Sequence, residues 1–349
     1  MKQQPFPDRP PLDPTVYVRE HGARGLADIL RVKGRYIIQA RPLKALEKAL
    51  RRRKPLLLEG EPGSGKTALA LGLIRAFNLP SSRLQCMSGL RVEKVLYRWQ
   101  EAAQDQHVRQ QTEAGVDLEV AQAGTWQRPF LKLGPALEPF DYAARNPFKP
   151  LALYDEIDKL DEEGEDLFLQ LLQDGYADVP GLMPDPRVGV VEDRGEWPVV
   201  ILTSNNMRSG VSSPLRSRCY YTYIKSATPE EEVYILSACA PGASAFLLAQ
   251  TVKLMRYVGS MGGVRDKPAL RESIDFLNTL VDEGAENLTR ELIEENLCAL
   301  AKRQTDLEEM GNGVAAMKRA IDKENIQIET WAREACSATQ HYASQVEGV

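Results

Sequence analysis

Short, nearly unbroken apolar runs punctuate the first part of the chain and predict strands over 55–59, 151–154 and 199–203. Runs of this length without polar alternation fit strands buried on both faces, as in a parallel sheet covered by helices. Between them the apolar residues take helical spacing. Leu43, Leu46 and Leu50 mark a helix over 41–52, with Pro42 in its first turn. Further helices are predicted over 67–77, 130–144 and 163–172, and further strands over 83–87 and 220–224. Alternating strand and helix up to residue 224 implies an α/β unit with a parallel sheet. From Thr228 the pattern is helical nearly throughout, with breaks at 241–243, 259–268 and 282–288, which implies an all-α second unit. Three stretches depart from these patterns. The proline-rich residues 1–16 predict an extended stretch, part of an N-terminal arm over 1–30. Residues 91–130 are polar and glutamine-rich, so they read as an insertion with its own task. Residues 175–197, rich in Gly, Pro and Asp, have room for a hairpin, expected at 182–196.

The strand at 55–59 runs into Gly60-Glu61-Pro62-Gly63-Ser64-Gly65-Lys66-Thr67, and the apolar run that follows opens with Ala68. This is G-x-x-x-x-G-K-[ST] between a strand and a helix, the context that makes the motif credible. Glycines let successive backbone N–H groups of 61–68 turn into one concavity, and the helix adds its positive end. Lys66 is then placed for the β- and γ-phosphates of a nucleoside triphosphate, and Thr67 for Mg²⁺.

The strand at 151–154 stops at Asp155-Glu156, which delivers two carboxylates to the carboxyl edge of a parallel sheet, where ligands sit in such folds. Asp155 suits the Mg²⁺ shell, and Glu156 suits a base that polarises the attacking water. Asp158 reads as a helix start. The next buried strand ends in Thr203-Ser204-Asn205-Asn206, which brings the amide of Asn205 to the same edge. Ser212-Ser213-Pro214-Leu215-Arg216-Ser217-Arg218-Cys219 follows. One of its arginines is a candidate finger for a neighbouring subunit's γ-phosphate, Arg218 first and Arg216 second.

Composition narrows the classes. The 349 residues allow two domains. A net charge of −5 disfavours constitutive nucleic-acid binding, and the basic run Arg51-Arg52-Arg53-Lys54 reads as the cationic end of a helix. No apolar stretch approaches the twenty residues needed to span a membrane, and no signal core opens the chain. The five cysteines lack metal-ligand spacing and read as buried thiols in a reducing cytoplasm. No guanine-reading N-K-x-D follows the acidic strand, which disfavours a GTPase.

In order, GEPGSGKT, LALYDEID, VVILTSNN and SPLRSRC followed by a helical region resemble the AAA+ ATPases. The phrases LKLGPALEPF and RCYYTYIKSATPEEEVYIL are similar to the MoxR-type group. The resemblance covers about residues 30–300. It implies a P-loop three-layer αβα core over 31–224, a helical lid over 225–304 and a C-terminal helical extension over 305–349. It further implies ATP and Mg²⁺ as cofactors, Asn205 as the sensor that orients water, Arg218 as the finger and a homo-oligomeric ring, most simply a hexamer. Residues 91–130 match the clade's helix-2 insert, with Trp99 and Trp126 as candidate grip residues. Arg265, Lys267 and Arg271 remain alternatives for the lid cation. Proteins of this kind resemble chaperone-like remodellers of protein clients and often work beside a von Willebrand factor A-domain partner. A nucleic-acid-remodelling ATPase and a nucleotide-gated scaffold with little turnover are the rival readings.

Overall fold

The computed structural model describes residues 10–190, 197–205 and 210–346. The chain divides into two compact units: one built from residues up to 29, 38–60 and 66–224, the other from 30–37, 61–65 and 225 onward.

The first unit is organised by a five-stranded sheet. Its strands are β1 (Leu56–Gly60), β2 (Ser81–Gln85), β5 (Leu151–Asp155), β8 (Val199–Ser204) and β9 (Tyr220–Ile224), in the order β2-β5-β8-β1-β9 and parallel throughout. Every residue of β1, β5 and β8 is buried, which is why these three appear in the sequence as continuous apolar runs. Burying one leucine contributes about 1.5–3 kcal/mol, so Leu56, Leu57 and Leu58, each at most 1% exposed, fix the strand that enters the loop at 61–65. Register does the rest. Gln85 pairs with Asp155 and Glu59 with Ser204, so the polar strand ends line up along one edge.

Helices α1 (Pro14–Val32), α2 (Ala40–Arg52), α3 (Lys66–Phe77), α7 (Glu138–Arg145), α8 (Glu162–Asp174) and α9 (Ser213–Arg218) accompany this sheet. Within the arm expected over 1–30, Pro14–Val32 forms helix α1 instead of extended chain. Pro14 sits in the first turn of α1, where its missing N–H costs nothing, and Val18 and Leu26 are wholly buried. Residues 1–9 lie outside the described residues.

The stretch 91–130 folds as a helical hairpin on a β-ribbon. After α4 (Val92–Val95), strand β3 (Tyr97–Trp99) pairs antiparallel with β4 (Leu131–Leu133), and α5 (Glu101–Glu113) and α6 (Leu118–Ala123) lie between them. No side chain of α5 is buried, which accounts for its polar, patternless sequence. Trp99 and Trp126 meet edge to face with centroids 5.0 Å apart, and the Trp126 carbonyl accepts the Met183 N–H at 2.9 Å. The later hairpin is β6 (Tyr176–Asp178) with β7 (Arg187–Gly189). It lies earlier than the expected 182–196 because Pro180, Gly181, Pro184 and Pro186 supply its connection rather than its strands. Residues 191–196 lie outside the described residues.

The second unit is helical: α10 (Pro229–Cys239), α11 (Ala245–Ser260), α12 (Leu270–Asp282), α13 (Arg290–Glu295), α14 (Gln304–Asp322) and α15 (Ile326–Val346). A capping box between Thr228 and Glu231, with Pro229 in the first turn, starts α10. One apolar core joins Leu236, Leu247, Val252 and Leu277 to Met310, Val314, Met317, Ile328 and Ala332. Helices α14 and α15 therefore belong to the same core as the helices before them, and the boundary expected at residue 304 is absent. Lys253 Nζ reinforces the joint, pairing with Glu329 at 2.6 Å. No described helix is long and apolar enough to cross a membrane.

Candidate nucleotide-hydrolysis site

Where β1 ends, the backbone must turn sharply to enter α3. Gly63 (φ 80°) and Gly65 (φ 91°) take left-handed conformations that a side chain strains. Space is short as well: a Cβ on Gly63 would lie 2.7 Å from the Cβ of Ala269. The Glu61 carbonyl accepts the Ser64 N–H at 3.2 Å, which closes the turn. Ser64 Oγ is buried without a hydrogen-bond partner among the described residues. Glu61 accepts the Ser226 hydroxyl at 3.0 Å, and Pro62 and Ala68 flank the glycines on either side. Lys66 opens α3, is 6% exposed, and its Nζ donates to the Gly60 carbonyl at 2.9 Å.

Strand β5 brings Asp155 to Thr67 at the start of α3. Its Oδ1 accepts hydrogen bonds from Thr67 Oγ1 at 3.0 Å and from Thr203 Oγ1 at 2.5 Å. Its Oδ2 pairs with Arg83 of β2. Glu156 follows in a left-handed conformation (φ 58°, ψ 50°), uncommon for a residue with a side chain. Its N–H donates to Thr203 Oγ1 at 2.9 Å. Its carboxylate accepts from Asn205 Nδ2 at 3.1 Å, from Gln85 Nε2 at 2.5 Å and from Lys159 Nζ at 2.5 Å. The structure thus gathers Thr67, Asp155, Glu156 and Asn205 into one hydrogen-bonded cluster at the carboxyl edge. Asp158 does not start a helix of any length. It sits 2% exposed in a single 3₁₀ turn and accepts the Asn205 N–H at 3.1 Å, so it seats the amide.

The two arginines take different places. Arg216 reaches both carboxylate oxygens of Glu59 at 3.3 Å and stacks over the Tyr221 ring. Burial pushes the Glu59 carboxyl up, but hydrogen bonds from Arg216 and Tyr221 outweigh it and hold the group below its ordinary value. The hydrogen bond to Glu59 raises Arg216 in turn. Arg218, at the end of α9, donates to the Pro214 carbonyl at 2.8 Å and to Gln173 Oε1 at 2.6 Å, while its Nε is buried without a partner among the described residues. Cys86, next to the cluster, is buried, and burial together with the charges of Asp155, Asp158 and Glu156 pushes its thiol up. All five cysteines are free, but of the expected buried thiols Cys86 alone is buried; Cys219, Cys239 and Cys336 are half-buried and Cys298 is exposed.

Sequence reasoning missed Arg83, Gln85, Lys159, Thr203 and the role of Asp158. One signal was available: Arg83 and Gln85, two apart on a strand, point the same way.

The cluster fits a nucleotide and its magnesium. The orphaned Ser64 hydroxyl, the glycines whose Cβ positions are strained or filled, and the hard oxygen pair of Thr67 and Asp155 suit phosphate and Mg²⁺. Among the described residues, no group of three or more His, Cys, Asp or Glu is placed to hold a metal by itself.

No curated protein matches the chain. Among solved structures, a RuvB variant from Thermotoga maritima is similar at 18% identity and a TM-score of 0.41, over 79% of this chain and 75% of that one. The Thermotoga maritima RuvB Holliday junction branch migration motor is similar at 16% identity and a TM-score of 0.39, over 74% and 69%. Residues 55–219 match the family described as AAA domain (dynein-related subfamily). That span holds the phosphate loop, the acidic strand end, Asn205 and both arginines, so the match falls on the residues of the candidate site.

Proposed function

We propose that the protein is a MoxR-type ATPase that assembles into a ring, most simply a hexamer, and uses ATP hydrolysis to remodel a protein client beside a von Willebrand factor A-domain partner. The hydrogen-bonded cluster of Thr67, Asp155, Glu156 and Asn205 carries the hydrolytic part of this reading. The loop 61–68 and Lys66 bind the phosphates. Thr67 and Asp155 would hold Mg²⁺, which would supply charge neutralisation for the phosphates. Asn205 orients a water, and a Glu156 carboxylate oxygen takes its proton as the water's oxygen bonds to the γ-phosphorus and the bond to the β-phosphate breaks. Glu156 Oε1 accepts a single hydrogen bond among the described residues, from Asn205, and keeps a lone pair for that water. Arg218 completes the site of the neighbouring subunit, while Arg216, engaged by Glu59, is the second candidate. The ribbon-mounted hairpin at 91–130 is the part offered to a client.

The experiment is a Glu156→Gln trap. The variant should bind ATP as the wild type does, release no phosphate, and retain a client and partner in pull-downs made with ATP. Wild-type hydrolysis in the variant would remove Glu156 from the mechanism. DNA-stimulated turnover in the wild type would favour a nucleic-acid substrate instead.

A further inference from the structure

We infer that Asp306 is a positioning residue for the nucleotide site, acting through the loop 261–269, which it holds against the phosphate loop. Asp306 lies in the first turn of α14 and is wholly buried. Its two carboxylate oxygens accept the backbone N–H groups of Arg265 at 2.9 Å and Asp266 at 3.2 Å. A carboxylate buried this deeply is costly unless its donors are well placed, and here both donors belong to one loop.

Neighbouring residues hold the same loop at further points. Arg303 pairs with Asp266. Lys302 Nζ reaches Glu272 at 3.1 Å and the Lys267 carbonyl at 3.4 Å. Gly263 lies so near Glu309 that a Cβ would come within 2.5 Å of its side chain. The far end of the loop is Ala269, whose N–H is accepted by Glu272 at 2.8 Å. Its Cβ is the atom that closes off the space at Gly63. All these residues belong to the second unit. A continuous set of contacts therefore runs from α14 through the loop to the phosphate loop.

The loop and the start of α12 also carry Arg265, Lys267 and Arg271. Lys267 Nζ donates to the Gly259 carbonyl, and all three cations are exposed. Whichever cation faces a nucleotide, its backbone is set from α14. Losing Asp306 leaves two backbone N–H groups without acceptors and frees the wall at Ala269.

This inference rests on the ATPase reading, and its test separates the two. Steady-state hydrolysis and binding of a fluorescent ATP analogue are measured on the full chain for wild type, Lys66→Ala, Asp306→Ala, Asp306→Asn and the double variant Lys302→Ala/Arg303→Ala. Asp306→Ala should raise KM for ATP by about tenfold with kcat within about twofold, and Asp306→Asn, which keeps one acceptor, should fall between. The double variant removes only exposed contacts, so it folds, and should raise KM by about threefold. An active wild type that depends on Lys66, with KM unmoved in the double variant and in whichever Asp306 variants fold, overturns the role of Asp306 alone. A wild type without Lys66-dependent hydrolysis overturns both readings.

Discussion

Replacing Thr203 with valine keeps the side-chain outline and removes one hydroxyl. That hydroxyl is 1% exposed with its residue and links the two carboxylates of the cluster, accepting the Glu156 N–H at 2.9 Å and donating to Asp155 Oδ1 at 2.5 Å. A hydrogen bond to a charged group contributes about 1.5–3 kcal/mol, and a buried N–H left without an acceptor costs about 1–3 kcal/mol. Partial relaxation lowers the sum, so a loss of about 3 kcal/mol is expected. For a unit of this size that lowers the melting temperature by about 6–12 °C. The catalytic effect is separate. Glu156 is held in a left-handed conformation whose strain is of order 1–3 kcal/mol, and the Thr203 bond is one of the contacts holding it there. With that bond gone the carboxylate leaves its position, so kcat should fall about tenfold, equivalent to about 1.4 kcal/mol of barrier. KM for ATP should stay within about twofold, because the phosphate loop is untouched. Thr203→Ser should recover most of both losses. The assays are thermal melting and steady-state phosphate release. Wild-type kcat in a folded Thr203→Val protein would refute the claim that this hydroxyl sets Glu156 for hydrolysis.

Two further outcomes follow from the site. Lys66→Ala should abolish binding of a fluorescent ATP analogue, and retained micromolar affinity would remove the phosphate loop from the account. Glu59 makes the first unit acid-sensitive. Its carboxyl is held below the ordinary 4.5 in the folded state, so its contribution is present above that value and is lost as pH falls through the lowered one. Glu59→Gln should therefore flatten the acid limb of a stability–pH curve, and an unchanged limb would count against the Arg216 pairing.

The parallel sheet was legible because strands buried on both faces leave continuous apolar runs, as at Leu56–Leu58 and Val199–Leu202. Strand β2 was placed two residues late, at 83–87 instead of Ser81–Gln85, because it has a single buried residue, Leu84, and its bounds come from pairing with β5. Helix α1 was hidden by prolines that suggest extended chain, although Pro14 suits a helix start. The loop, Asp155, Glu156 and Asn205 were readable from local motifs. Arg83, Thr203 and Asp158 were not, because their partners lie 47 to 72 residues away. The same limit hid the place of α14 and α15. Periodicity shows that a helix has an apolar face but not what that face covers.

The central claim is a hydrolytic site shared between subunits. Arg218→Ala and Glu156→Gln proteins should each bind ATP and each fail to hydrolyse it. Mixing them should restore phosphate release at interfaces where an intact Glu156 meets a neighbour's intact Arg218. Recovered turnover on mixing is the predicted result; no recovery from subunits that co-assemble, or full activity of Arg218→Ala alone, would contradict it.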